Sequence, residues 1–361
     1  MDKKMRIYVH KLVPGMVVSD DVYTYNDQLI IPGNSVLTDK MITRLRFYSI
    51  ISVSIWEETV NVPVQAKYQD YYSDHIKNSK EFKEFKKDFM QNTIEFKSVL
   101  DALIVDESAS IDTNLILDNL ADLLENTRNS LHAFDMIHNM RELDDATYVH
   151  SINVAIISRV IGKWLNYSEE DLDILSLCGI FHDIGKLLIP KEVLLKPYKL
   201  DPAEYDVIKT HTIKGYNLLK NTGLDERIAQ VALMHHERCD GSGYPIALTR
   251  NQILDYAKIV AIADVYDGMT ASRVYRGPIC PFEVIGLFEI EGLYLYEPEY
   301  IITFLKNIVN TYMHNDVILS NGMQGQIVLI NKSFLSKPVV KCQDVFIDLS
   351  KETNVKIIAI V

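Results

Sequence analysis

Along the chain the spacing of apolar positions changes character twice. Through about residue 60 they come in short runs broken by turn pairs. Residues 8–12 lead to Pro14-Gly15, residues 16–18 follow as a strand, and residues 28–31 run into Pro32-Gly33. Thr38 opens a short helix carrying Met41, Ile42 and Leu45, and residues 50–55 close the region as a strand. From residue 64 to 161 there is neither proline nor glycine, which argues for long helices. Phe82, Phe85 and Phe89 recur at helical spacing within a charged stretch. A break at 106–110 then precedes an amphipathic helix with Ile111, Leu115, Leu120 and Leu124 on its apolar face. Apolar helical runs dominate onward from about residue 143. After Asn315 the texture returns to β, with strands expected at 317–319, 325–330, 338–340 and 355–361.

The pattern predicts a mainly α protein in four parts. Residues 1–60 form a β-rich regulatory or docking module, and 61–142 a long helical linker or stalk. Residues 143–310 form an all-helical catalytic domain, and 311–361 a short β extension. The linker offers a face for a homodimer, and intramolecular packing explains the same pattern.

Composition narrows the function. The net charge of −12 argues against a nucleic-acid polymer as partner but leaves room for a small phosphorylated ligand. Cys178, Cys239, Cys280 and Cys342 form no paired motif and read as reduced thiols of a cytoplasmic protein. The N-terminus lacks the apolar core of a signal peptide, and no 18-residue uncharged stretch predicts a membrane span.

The chemistry gathers in the helical part. Phe181-His182-Asp183-Ile184-Gly185-Lys186 ends an apolar run, where burying an imidazole and a carboxylate demands a partner. Five of the ten histidines fall between 150 and 236. His150, His182, Asp183, His211, His235, His236 and Asp264 are the candidate metal ligands. Seven ligands without a thiolate are too many for one tetrahedral zinc and suit two divalent ions such as iron or manganese. Such a pair activates water and clamps both oxygens in a displacement at phosphorus, with Lys186 one turn past Asp183 to meet a phosphate oxygen. Glu237 and Arg238 are expected to orient the histidines. His132 and His138, six residues apart on the helical linker, share no face and are left out, and His10 is taken as a surface residue.

The order H…HD-x-x-x-K…H…HH…D resembles the HD superfamily of metal-dependent phosphohydrolases. His235–Pro245, HHER-x-DGSGYP, resembles its HD-GYP subfamily, bacterial phosphodiesterases for cyclic di-GMP with an all-helical catalytic domain. The resemblance covers about residues 143–290. It implies that the seven candidates are the metal ligands, with Asp183 bridging the two ions. It further implies that Asp183 and Lys186 are catalytic and that Lys186, Tyr244, Arg273 and Arg276 contact the substrate. Guanidinium forks suit phosphate, and an aromatic ring beside a glycine loop suits base or ribose packing.

One position departs from the trinuclear members of the family: where they carry a glutamate four residues before the first histidine, this chain has Ala146. The expectation is therefore a two-metal centre that hydrolyses cyclic di-GMP mainly to linear pGpG, by a metal-bridged water or hydroxide. The competing readings are a catalytically weak cyclic-dinucleotide receptor signalling through the N-terminal module, and an HD phosphohydrolase for another cyclic dinucleotide.

Overall fold

The computed structural model describes residues 4–9, 12–24, 29–48, 50, 52–57, 78–106, 111–125, 127, 130–140, 146–194, 202–270, 279–352 and 354–361. The chain is mainly helical, with strands at both ends. In the N-terminal module, β1 (Lys4–Tyr8) pairs antiparallel with β4 (Ser52–Trp56), and β2 (Val22–Tyr23) with β3 (Leu29–Ile31). Residues 16–18 contribute only single bridges, Val17 to Val36 and Val18 to Ile55, because the chain bends away at Ser19 and Asp20.

Helix α1 (Asp39–Phe47) starts where Thr38 accepts a hydrogen bond from the Met41 N–H. It buries Ile42 and Leu45 in the module's own core. Phe47 points the other way, edge-on to Phe288 at 5.1 Å and Tyr296 at 5.7 Å in the helical domain. An ion pair from Arg44 to Glu291 at 2.8 Å reinforces that joint.

Helix α2 (Lys80–Val105) buries Phe82, Phe85, Phe89, Phe96, Leu100 and Leu103 in the same core as the helices that follow it. The apolar face of the linker is thus turned into the chain's own interior. Helix α3 (Thr113–Glu125) buries Ile116, Leu120 and Leu123, while Leu115 is 46% exposed. Of the expected face, Leu120 is buried and Ile111 and Leu124 pack partly exposed against the core, while Leu115 points outward; Asp112 caps the helix through the Leu115 N–H. Helix α4 (Ser130–Asn139) carries His132 and His138; the His138 side chain and His10 lie outside the described residues.

Helices α5 (Ala146–Trp164) and α6 (Glu169–Phe181) form the central pair. Ser168 caps α6, and Glu169, Glu170 and Asp171 load its first turn with the negative charge that a helix N-terminus favours. A Cβ on Gly179 would lie 2.5 Å from the Ala155 Cα, so glycine is what lets the two backbones touch. The short α7 (Lys191–Leu194) and α8 (Pro202–Lys209) lead to α9 (His211–Leu219) and α10 (Glu226–Met234). Helix α11 (Asp255–Thr270) does not stop at Asp264, where the apolar run ends; Val265, Tyr266 and Met269 keep its face buried for another turn. That places Asp267 one turn beyond Asp264.

After α12 (Pro281–Leu287) comes a π-helical turn, Phe288–Gly292, then α13 (Leu293–Leu295) and α14 (Pro298–Thr311). The chain finishes in a five-stranded antiparallel sheet ordered β8-β7-β6-β5-β9. Its strands are β5 (Asp316–Leu319), β6 (Gln324–Leu329), β7 (Val339–Cys342), β8 (Val345–Asp348) and β9 (Ile357–Ile360). Strand β8 was not expected: the turn before it uses Gln343 at φ 53°, with no glycine to announce it. Val317, Leu319, Ile327 and Val340 seat the sheet on the helical core. Among the described residues no helix is long and apolar enough to cross a membrane.

Candidate metal centre

Helix α6 delivers the first pair of ligands. It ends at Phe181, His182 caps it, and the backbone tightens into a 3-10 turn, Ile184–Leu188. The turn brings the Lys186 ammonium back onto the Asp183 carboxylate. A Cβ on Gly185 would lie 1.9 Å from the His211 carbonyl oxygen, so only glycine allows this turn to rest on the start of α9. His211 thereby faces Asp183. His235 caps α10 and His236 follows it, while α5 and α11 carry His150 and Asp264.

The seven side chains fall into two groups. Asp183, His211, His235 and His236 form one, and His150, His182 and Asp264 the other; within each, the donor atoms lie within 4.8 Å of one another. Asp183 spans both. Its Oδ1 lies 3.3 Å from His211 Nε2 and 3.6 Å from His235 Nε2. Its Oδ2 lies 3.3 Å from His182 Nε2 and 3.9 Å from His150 Nε2. Asp264 reaches across as well, with Oδ1 3.0 Å from His150 Nε2 and Oδ2 3.9 Å from His236 Nδ1.

Each imidazole is held from behind. The Nδ1 of His182 meets the Gly179 carbonyl at 2.7 Å, that of His211 the Ile208 carbonyl at 2.8 Å, and that of His235 the Ala232 carbonyl at 3.0 Å. A carbonyl only accepts, so these Nδ1 atoms carry the proton and the Nε2 lone pairs point inward. His150 is held differently, with Nδ1 2.7 Å from Asp267 Oδ2, while Asp267 Oδ1 accepts from Asn153 Nδ2 at 3.0 Å. His236 turns Nδ1 inward, and the Tyr244 ring stacks on it at 4.7 Å and 26°.

Burial lowers the pKa of His211 to about 3 and also lowers those of His235 and His236, keeping them neutral. For His150, burial opposes the charge but the bonds to Asp264 and Asp267 outweigh it and raise the pKa to about 9. Burial would raise Asp183, yet the adjacent Lys186 and His182 hold it well below the ordinary carboxylate range. His150 does the same for Asp264. Neutral imidazoles at His211, His235 and His236 beside ionised carboxylates are the ligand state that cations take up, and His150 must release its proton when a cation binds.

The centre fits such ions on its own geometry. His182 Nε2, Asp183 Oδ1 and His236 Nδ1 are buried polar atoms with no hydrogen-bond partner among the described residues. An unmet buried polar atom is costly, and divalent cations satisfy all three. Nitrogen and oxygen donors without sulfur match octahedral metals.

All seven residues singled out as ligands come together, with Lys186 at the rim on Asp183 and Tyr244 over His236. Arg273, Arg276 and the Ala146 side chain lie outside the described residues. Asp267 and Asn153 were missed; each stands three residues after a ligand on its helix, Asp264 and His150, which is the signal that points to them. Glu237 does not orient a histidine ring. Its carboxylate accepts from the N–H groups of Ile246, at 2.7 Å, and Leu248, at 2.8 Å, stapling the loop that carries Tyr244. Arg238 donates to the backbone carbonyls of His235 and Glu237 and lies over the Tyr296 ring. A Cβ on Gly243 would lie 2.4 Å from the Glu237 Cα, so the loop closes onto the helix end only with glycine there.

Paired histidine and aspartate ligands contributed by successive helices define an HD-type domain, and residues 113–289 match the family model of the HD domain. The chain therefore carries an HD domain over these residues. Its HHER-x-DGSGYP loop resembles that of the HD-GYP proteins, and its curated relatives are cyclic dinucleotide phosphodiesterases. It is 38% identical over 180 residues to a cyclic di-GMP phosphodiesterase of Thermotoga maritima, covering 49% of this chain and 48% of that one. It is 39% identical over 145 residues to the 3'3'-cGAMP-specific phosphodiesterase 1 of Vibrio cholerae, covering 40% of this chain and 34% of that protein. The chain thus spans about half or less of the length of these relatives. Among solved structures, Bd1817, a HDG"Y"P protein from Bdellovibrio bacteriovorus, shares the fold with a TM-score of 0.52 at 15% identity, covering 84% of this chain and 98% of that one.

Proposed function

We propose that the chain is a metal-dependent phosphodiesterase that hydrolyses cyclic di-GMP mainly to linear pGpG at a two-metal centre. The observation that carries this reading is the position of Asp183, whose two carboxylate oxygens face different groups of imidazoles. Two divalent ions, iron or manganese, held by the seven ligands supply Lewis-acid charge to a phosphodiester and lower the pKa of water. The protein's own contribution is positional. Asp183 and Asp264 span the two groups, backbone carbonyls and Asp267 fix the rings, and Lys186 stands beside Asp183 to meet a phosphate oxygen. Tyr244 closes one side of the centre, and Arg273 and Arg276 are assigned to the substrate's phosphates and guanines. A cytoplasmic setting, where cyclic dinucleotides are made and broken, follows from this reading.

A second substrate has a specific observation behind it. The Vibrio cholerae relative named for 3'3'-cGAMP matches this chain at 39% identity, about as well as the relative named for cyclic di-GMP. The test is metal analysis of anaerobically purified protein, paired with product analysis on both dinucleotides. Two metals per chain and pGpG from cyclic di-GMP support the proposal. Faster turnover of 3'3'-cGAMP transfers it to that substrate, and binding without turnover makes the chain a receptor.

A further inference from the structure

Beside the metal centre lies a cleft of about 360 Å³, a volume in the range of small-molecule sites. Its walls come from two parts of the chain that are distant in sequence. His236, Ser242 and Tyr244 line it from the helical domain, and Arg6, Asp21 and Tyr23 from the N-terminal module. The imidazole of His236 is therefore both a ligand of the centre and part of the cleft wall. Whatever reaches the centre from this side lies against the N-terminal module.

The lining is chemically mixed. Among the described residues the Arg6 guanidinium has one hydrogen bond, from Nε to Ser52 Oγ at 3.1 Å, which leaves its terminal nitrogens to donate. Asp20, also in the wall, is matched by the Lys4 ammonium. Asp21 accepts from the Gly33 N–H and the Tyr23 hydroxyl. Ser242 is 7% exposed, and its Oγ has no hydrogen-bond partner among the described residues. A guanidinium fork suits a phosphate, carboxylates suit base N–H donors, and the Tyr23 ring offers a flat apolar surface. A bare anion would meet only the first of these. A nucleotide meets all three.

We infer that the N-terminal module is half of the substrate site, and that Arg6 binds the part of a cyclic dinucleotide that lies away from the metals. This rests on the phosphodiesterase reading and adds to it a specificity residue from outside the HD domain. A small diester held only at the metals makes no use of Arg6, whereas a dinucleotide does.

The experiment compares the full chain, loaded with manganese, with Arg6→Ala and Arg6→Lys on two substrates, cyclic di-GMP and bis(p-nitrophenyl) phosphate. Metal content and calorimetric binding of cyclic di-GMP are measured alongside. Arg6→Ala lowers the ratio of kcat/KM for cyclic di-GMP to that for the small diester by about tenfold, mainly through KM, as befits loss of a charge-assisted hydrogen bond. Arg6→Lys keeps the charge without the fork and falls between. An unchanged ratio, or an equal decline on both substrates, overturns the inference and makes Arg6 a structural residue. If the unmodified chain binds cyclic di-GMP without cleaving it, the proposed activity fails. Binding then decides the inference: about tenfold weaker binding in Arg6→Ala supports it, and unchanged binding overturns it. A chain that neither binds nor cleaves the dinucleotide overturns both.

Discussion

Asp267 Oδ2 lies 2.7 Å from His150 Nδ1, and the other oxygen of the same carboxylate takes a hydrogen bond from Asn153. His150 and Asn153 are a turn apart on α5, and Asp264 and Asp267 a turn apart on α11. The two helices thus meet through a matched pair of contacts, one at the centre and one behind it. Asp267 is 1% exposed, so no water replaces it. Replacing it by alanine frees the His150 ring to rotate, and metal affinity or activity falls by about 10–100-fold. Asp267→Asn keeps an acceptor and gives a smaller loss. Metal titration of the two variants checks this, and wild-type affinity in Asp267→Ala would show that packing alone aims the ring.

Asp183→Ala removes the carboxylate that faces the most imidazoles, His150 and His182 on one side and His211 and His235 on the other, and leaves only Asp264 spanning the two groups. Metal content drops below two per chain and turnover is lost, while the fold survives because Lys186, 29% exposed in its side chain, is hydrated once its partner is gone. Elemental analysis and circular dichroism on the same preparation separate loss of site from loss of structure. Full metal occupancy with activity in this variant would contradict the bridging assignment.

Ala146 begins α5 one turn before His150. A residue at that spacing shares the helix face of the histidine, and glutamate has a good helix propensity. Ala146→Glu is accordingly tolerated and adds a third, partly occupied metal, shifting product from pGpG toward GMP. Stoichiometry and product ratio in the two proteins check it. Three tightly held metals in the unmodified chain would rule out the two-metal reading.

Glu237→Ala removes the carboxylate that accepts from the part-buried N–H groups of Ile246 and Leu248, at a cost of about 1.5–3 kcal/mol for the loss of hydrogen bonds to a charged acceptor. The loop loosens and Tyr244 no longer holds its stack on His236, so KM rises more than kcat falls. Urea unfolding and steady-state kinetics read the two effects separately.

Phe47 is fully buried between the module and the helical domain. Truncation to alanine leaves a cavity worth about 3–5 kcal/mol, which appears as a lower urea midpoint. A second, earlier transition for residues 4–57 would show that the joint is what keeps the module in place.

The candidate ligands were legible because His182 and His235-His236 end apolar helical runs and His150 stands ahead of one, where an imidazole needs a reason to be; His211, in a polar stretch, rests on the family motif. The bridging carboxylate adjoins one of them in sequence. Asp267 escaped because it lies beyond the last candidate ligand, Asp264, and only the continuation of α11 to Thr270 brings it against His150. On α3 the expected face held at Leu120 and failed at Leu115, because Ile116, one turn before Leu120, takes the buried position instead. The cleft could not be read from spacing at all. Arg6 and His236 come to line one cleft only through tertiary packing, and no local pattern encodes a neighbour more than two hundred residues away.

The π-helical turn at Phe288–Gly292 fastens both ends of the chain. Glu289 grips the Leu335 and Ser336 N–H groups and the Ser336 hydroxyl in the C-terminal extension, and Glu291 pairs with Arg44 of the N-terminal module. A widened turn of this kind redirects neighbouring side chains along one short segment, and here it aims two carboxylates at opposite flanks. For anyone grafting a different input module onto this catalytic unit, the joint is therefore a socket with a fixed plug. A replacement must bring its own aromatic for the Phe47 seat and its own cation for Glu291. Without them the graft leaves a partly buried acid unanswered on the helical domain that carries the candidate metal centre.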